Sequence, residues 1–118
     1  VALKMVGEGI ISKEFLNEIE LLEKLKHPNV VSFFGIFKEQ NENQLKQGEE
    51  YFIVMEFMNK GSLLNLLREN VNKFCSEQLL NFCFQICKGM IYLESQKIIH
   101  RDLACRNVLI STFEKESG

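Results

Sequence analysis

The stretch His100-Arg101-Asp102-Leu103-Ala104-Cys105-Arg106-Asn107 decides how this chain is read. It is polar, and it is bracketed by two aliphatic runs, Ile98-Ile99 and Val108-Leu109-Ile110. Those runs are expected to form a short β pair that anchors the loop between them. Asp102 is the only Asp in the chain; every other acidic residue is Glu. A carboxylate held on a rigid loop can accept the proton of an attacking hydroxyl. An amide oxygen five positions on, at Asn107, can bind a hard cation such as Mg²⁺. The same two residues alone would also fit a tight turn closed by an Asx hydrogen bond.

Working outward, the order of elements points to an α+β fold with a small β-rich part and a helical part. Val1 to Met5 reads as an apolar strand carrying Lys4, and Gly7 and Gly9 make the next stretch a loop. Ser12 suits the N-cap of a helix running to about Lys26, stopped by Pro28. Val30 to Phe37 and Tyr51 to Phe57 are β-prone and read as an antiparallel pair. The polar stretch 38–50 is expected to be its exposed loop. Asn59-Lys60-Gly61-Ser62 breaks the pattern and reads as a linker. Leu63 to Glu69 is then a short helix, and Ser76 is expected to cap a longer one reaching about Gln96. Two apolar stripes on that longer helix, one through Leu79, Cys83, Ile86, Met90 and Leu93, predict burial on several sides.

The bulk composition excludes several classes. The chain has 118 residues, 46% hydrophobic and 25% charged, which is a globular mix. A net charge of −2 offers no surface for nucleic acid or an anionic membrane. Its apolar runs are too short to span a bilayer, and no signal peptide opens it. It begins with Val1 inside what reads as a strand, so a fragment is expected. Of the four cysteines, Cys83 and Cys87 lie one helical turn apart among Ile and Phe, the pattern of buried free thiols. An even count also allows a disulfide framework. No zinc-finger spacing occurs, and reduced thiols suit a cytoplasmic location.

On the first helix Phe15, Ile19 and Leu22 define a buried stripe, and Glu18 lies between Phe15 and Leu22 on the helical wheel. A carboxylate on a packed face needs a partner, and Lys4 on the preceding strand is the nearest candidate.

The loop from His100 to Asn107, taken whole, resembles the catalytic loop of protein kinases. The resemblance covers essentially the whole chain, in family order. It implies an incomplete two-lobe kinase fold: an N-lobe portion over 1–58, a hinge over 59–62 and a C-lobe portion over 63–118. Val1-Ala2-Leu3-Lys4 is similar to the kinase strand whose Lys binds the α- and β-phosphates of ATP, and Glu18 matches the Glu that pairs with it. By the same resemblance Asp102 is the catalytic base and Asn107 a Mg²⁺ ligand. Met55 becomes the gatekeeper behind the adenine pocket. The backbone of Glu56 and Met58 would bond adenine, Gly61 would pass near the ribose, and Ala2 and Leu109 would sandwich the ring. Arg101 would pair with a phosphorylated activation loop.

Serine/threonine kinases usually carry Lys two residues after the catalytic Asp; here that position is Ala104, and Arg106 follows. This resembles the tyrosine-kinase pattern, with Cys105 in place of the usual Ala. The resemblance therefore implies transfer of the ATP γ-phosphate to a protein tyrosine. Runners-up are a Ser/Thr-specific tyrosine-kinase-like enzyme and a pseudokinase or scaffold; a truncated partner-binding chain is a further alternative. Neither the Gly-rich loop nor a second metal-binding Asp of the family is found in these residues, so the 118-residue segment alone is expected to be inactive.

Overall fold

The computed structural model describes residues 1–8, 12–40 and 49–111, and it divides into two compact units, Val1–Phe57 and Met58–Gly118.

In the first unit, strand β1 (Ala2–Glu8) is followed by helix α1 (Lys13–Glu23) and strands β2 (Phe33–Gln40) and β3 (Glu49–Met55). The sheet order is β1-β3-β2, antiparallel throughout, so β3 is the central strand. Its run Glu-Glu-Tyr-Phe-Ile-Val-Met is the most β-prone of the three, as a strand paired on both edges should be. Ile53 is buried at the centre, opposite Lys4 on one side and Ile36 on the other. The β2–β3 pairing extends further than the sequence suggests, because Lys38, Glu39 and Gln40 continue the ladder opposite Tyr51, Glu50 and Glu49. A network holds that end: Lys38 Nζ lies 2.7 Å from Glu49 Oε1, and the Tyr51 hydroxyl donates to Glu49 Oε2 at 2.8 Å. The rest of the expected loop, 41–48, lies outside the described residues, as does Gly9.

Ser12 caps α1 as expected, its Oγ accepting the Phe15 N–H at 3.2 Å. The helix ends earlier than its apolar pattern suggests, at Glu23. Ile19 and, beyond the helix, Leu25 are buried, while Phe15 and Leu22 are half-buried.

In the second unit, helix α2 (Leu63–Glu69) is capped by Ser62, whose Oγ accepts the Asn65 N–H at 3.2 Å. Helix α3 (Ser76–Ser95) follows. Its N-cap is Cys75, not Ser76; the Cys75 N–H is met by the Gln78 side chain at 2.9 Å. Gly89 and Leu93 are the buried residues of α3, while Leu80 (69%), Phe84 (59%) and Ile91 (65%) stand exposed. The expectation of burial on several sides fails because only the Gly89–Leu93 side is covered among the described residues. For the same reason Cys83 and Cys87 are exposed rather than buried, as are Cys75 and Cys105, and all four are free thiols.

Candidate functional site

The loop carrying Asp102 begins at the end of α3. There Lys97 adopts a left-handed conformation, φ 63°. The Ile98 N–H reaches back to the Leu93 carbonyl (2.9 Å), and the Lys97 N–H to that of Glu94 (2.9 Å). This paired arrangement terminates the helix and turns the chain sharply into the loop. The far end of the loop is held differently from expectation. Val108-Leu109-Ile110 does not pair with Ile98-Ile99; it pairs with the segment before α2. Leu63 N–H donates to the Val108 carbonyl at 2.7 Å, Ile110 N–H donates to the Gly61 carbonyl at 2.9 Å, and Ser62 and Leu109 form an antiparallel bridge. Leu63 and Ile110 are buried beside this ladder. Gly61 has φ +74°, a conformation that glycine adopts without steric cost.

Between these anchors a one-turn 3₁₀ segment (Cys105–Asn107) brings three of the expected residues together. Arg106 Nη2 lies 2.6 Å from Asp102 Oδ1. Asn107 Nδ2 donates to Asp102 Oδ2 at 2.9 Å and to the Asp102 carbonyl at 3.0 Å. Both carboxylate oxygens are thus engaged by donors from one turn away, and the carboxylate's orientation is set. The Asn107 amide nitrogen is committed to Asp102, which leaves its amide oxygen as the free acceptor for a cation. His100 Nδ1 accepts the Asp102 N–H at 3.2 Å, and Arg101 has φ 70°. That His100 contact escaped the sequence reading, although a His two residues before an Asp is the available signal. The pair Asp102–Arg106 is more than half exposed to solvent. Leu109 is 37% exposed.

In the first unit, Ala2 and Met55 are cross-strand neighbours, both half-buried, at the end of the β1–β3 ladder. Glu56 follows β3 directly. Its N–H donates to the Ser32 carbonyl at 2.9 Å, and its Oε2 accepts the Ser32 N–H at 3.3 Å. Neither the Glu56 carbonyl nor the Met58 N–H bonds another described residue. Met58 opens the second unit, where its carbonyl accepts the Gly61 N–H at 3.1 Å.

Lys4 and Glu18 are not brought together. Both are exposed, and they form no ion pair with each other. Glu18 flanks the buried stripe of α1 instead of lying within it, because Ile19 takes the buried position. Exposed to water, Glu18 needs no buried partner. Among the described residues no group of three or more His, Cys, Asp or Glu gathers to hold a metal ion, and no helix is long and apolar enough to cross a membrane.

Comparison with known proteins matches residues 1–116 to the family described as protein tyrosine and serine/threonine kinase. Human tyrosine-protein kinase TXK is 44% identical over 113 residues, covering 95% of this chain and 20% of that protein. The human cytoplasmic tyrosine-protein kinase BMX is 42% identical over 113 residues, covering 93% of the chain and 15% of that protein. Tyrosine-protein kinase Btk of Drosophila melanogaster is 40% identical over 114 residues, covering 94% and 14%. The chain thus spans about a fifth or less of the length of these relatives.

Proposed function

The chain belongs to the protein tyrosine and serine/threonine kinase family, and from that premise we propose that it is the central part of a tyrosine kinase domain acting on protein substrates. The three-stranded antiparallel sheet with α1 is part of the N-lobe of that fold, and α2, α3 and the Asp102 loop begin its C-lobe. The observation that carries the proposal is the double anchorage of Asp102 by Arg106 and Asn107.

In this reading Asp102 orients the substrate hydroxyl and accepts its proton at a carboxylate oxygen. Arg106 keeps a positive charge beside that carboxylate and fixes its rotation. Asn107, its amide nitrogen spent on Asp102, offers its oxygen to Mg²⁺. Bound Mg-ATP supplies the phosphoryl group and neutralises charge on its oxygens. Lys4 is assigned to the α- and β-phosphates; its pairing with Glu18 requires α1 to turn its exposed Glu18 face toward β1. The Glu56 carbonyl and the Met58 N–H are assigned to the adenine edge, and Ala2, Met55 and Leu109 to its apolar surroundings. What supports tyrosine over Ser or Thr is Arg106 at the position where it meets Asp102, with Ala104 in place of a Lys, and the similarity to enzymes named as tyrosine kinases. The name of one of these relatives also supports a cytoplasmic setting.

The test is Asp102→Asn in a longer protein that contains this segment and has kinase activity. The substitution keeps size but removes the base, and its NH2 replaces one of the two acceptor oxygens that face Arg106 and Asn107. Turnover should fall by roughly 10²–10⁴-fold while nucleotide affinity stays within a few-fold. Retained turnover would overturn the assignment.

A further inference from the structure

We infer that the Glu56 side chain frees the Glu56 carbonyl for a ligand, by taking over the hydrogen bond that the sheet would otherwise draw from that carbonyl. Phe33 faces Met55 in the β2–β3 register, so the next pair outward is Ser32 opposite Glu56. The Glu56 N–H donates to the Ser32 carbonyl at 2.9 Å, which makes this a hydrogen-bonded pair of the antiparallel ladder. Such a pair normally exchanges two bonds, and the second would run from the Ser32 N–H to the Glu56 carbonyl. Here the Ser32 N–H donates instead to Glu56 Oε2, at 3.3 Å. No described residue bonds the Glu56 carbonyl. Ser32 and Glu56 are both half-buried and both belong to the first unit, so the exchange is internal to it.

The carboxylate displaces the carbonyl because a charged acceptor makes a hydrogen bond about twice as strong as a neutral one. With an apolar side chain at position 56, the Ser32 N–H is left with the backbone carbonyl opposite it, and the ladder closes on that carbonyl. The consequence deepens the kinase reading and rests on it. In that reading the Glu56 carbonyl accepts from the adenine edge, where the donor is the 6-amino group. The Glu56 side chain is then a positioning residue: it keeps this acceptor available, and with it the preference for a 6-amino purine. A purine without the amino group gains nothing from the free carbonyl.

The test uses a longer, active protein that contains this segment. ATP and purine riboside 5′-triphosphate, which lacks the 6-amino group, serve as alternative phosphoryl donors. The parent should show the lower KM for ATP. Glu56→Leu should raise the KM for ATP by roughly 3- to 10-fold, the contribution of one hydrogen bond, and leave that of the analogue in place. Glu56→Gln, whose amide oxygen still accepts, should recover most of the preference. Equal weakening of both nucleotides in Glu56→Leu, or an undiminished preference for ATP, would overturn the inference while the adenine assignment stands. A parent with no preference between the two nucleotides would overturn the assignment, and the inference with it. A second measurement needs no variant. A crystal structure of the longer protein should hold the Ser32 N–H against the Glu56 carboxylate, and a Ser32 N–H bonded to the Glu56 carbonyl would overturn the inference as well.

Discussion

Replacing Gly61 with Ala isolates what the backbone beneath the Asp102 loop contributes. Gly61 has φ +74°, and a Cβ built there meets nothing within 4 Å among the described residues. Steric crowding by neighbours is therefore excluded, and the whole effect is local backbone strain. A left-handed residue with a side chain costs about 1–2 kcal/mol. Against this, Ala stiffens the unfolded chain and recovers about 0.4–1 kcal/mol. The net loss is about 1 kcal/mol, or roughly a fivefold change in an opening equilibrium. The consequence is specific, because the Gly61 carbonyl accepts the Ile110 N–H that closes the loop's far end. Hydrogen exchange read at the amides of Ile110 and Leu63 should therefore accelerate about fivefold. Gly61→Asn, which tolerates this conformation, should lose less; Gly61→Val, β-branched, should lose more. Gly7→Ala is the control, since it also meets no neighbour but has no positive φ, and it should leave these amides unchanged. Exchange at Ile110 that is the same in Gly61→Ala and the parent would refute the reasoning, since a relaxed Ala there means the turn is not left-handed.

Arg106→Ala should barely change stability, because the pair with Asp102 is 60%/62% exposed and such pairs contribute about 0–1 kcal/mol. In an active longer protein the same change should lower turnover by roughly 10²-fold through loss of positioned charge, and Arg106→Lys should restore little, its ammonium lacking the planar fork. The 118-residue chain itself, with Asp102 as its sole Asp, should incorporate no labelled phosphate into a tyrosine polymer; incorporation above a no-protein blank would contradict this. The β2–β3 end network should show stability lost at both pH extremes. Hydrogen bonds from Lys38, then Tyr51, hold the Glu49 carboxyl below its ordinary value, so its contribution is present at neutral pH and lost as acid titrates it through that lowered value. Hydrogen bonding to Glu49 raises both Lys38 and Tyr51, so theirs is present at neutral pH and lost as base carries them through their raised values. Urea unfolding of the parent minus Glu49→Gln should give a difference that is flat through neutral pH and vanishes at both ends; a constant difference across the range would count against the network.

The features legible from the sequence are those whose partners lie within a turn or two along the chain. Ser12 caps its helix because the residue it serves sits three positions on, and that was readable; Ser62 does the same for α2 but was read as linker, and Cys75 takes the place expected of Ser76. Asp102, Arg106 and Asn107 meet because a 3₁₀ turn closes five residues onto themselves, so the local string carried the arrangement. What could not be read depends on distant partners. Val108-Leu109-Ile110 is visibly β-prone, but nothing local says that its partner is Gly61–Leu63 rather than Ile98-Ile99. Burial on α3 failed similarly, because an apolar stripe declares what could be covered and not what covers it.

Glu18 is where this distinction bears on function. Spacing along α1 does not put it between Phe15 and Leu22: at about 100° per residue it falls about 40° beyond Leu22, outside the arc of Leu22, Phe15 and Ile19, and it stands exposed. Asp102 owes its orientation to residues four and five positions away and is set whatever α1 does. Lys4 and Glu18 owe theirs to the rotation and seating of a whole helix, stabilised at its core by few buried side chains, Ile19 and Leu25 foremost. Dependence on that seating, which the expected Lys4–Glu18 pair did not take into account, makes their relation the adjustable one. In the proposed reading, a base held by local hydrogen bonds and a lysine assigned to phosphate, whose assigned partner must travel to reach it, respond to different perturbations. Substitutions at Ile19 should therefore alter the Lys4–Glu18 relation while leaving the Asp102 turn intact.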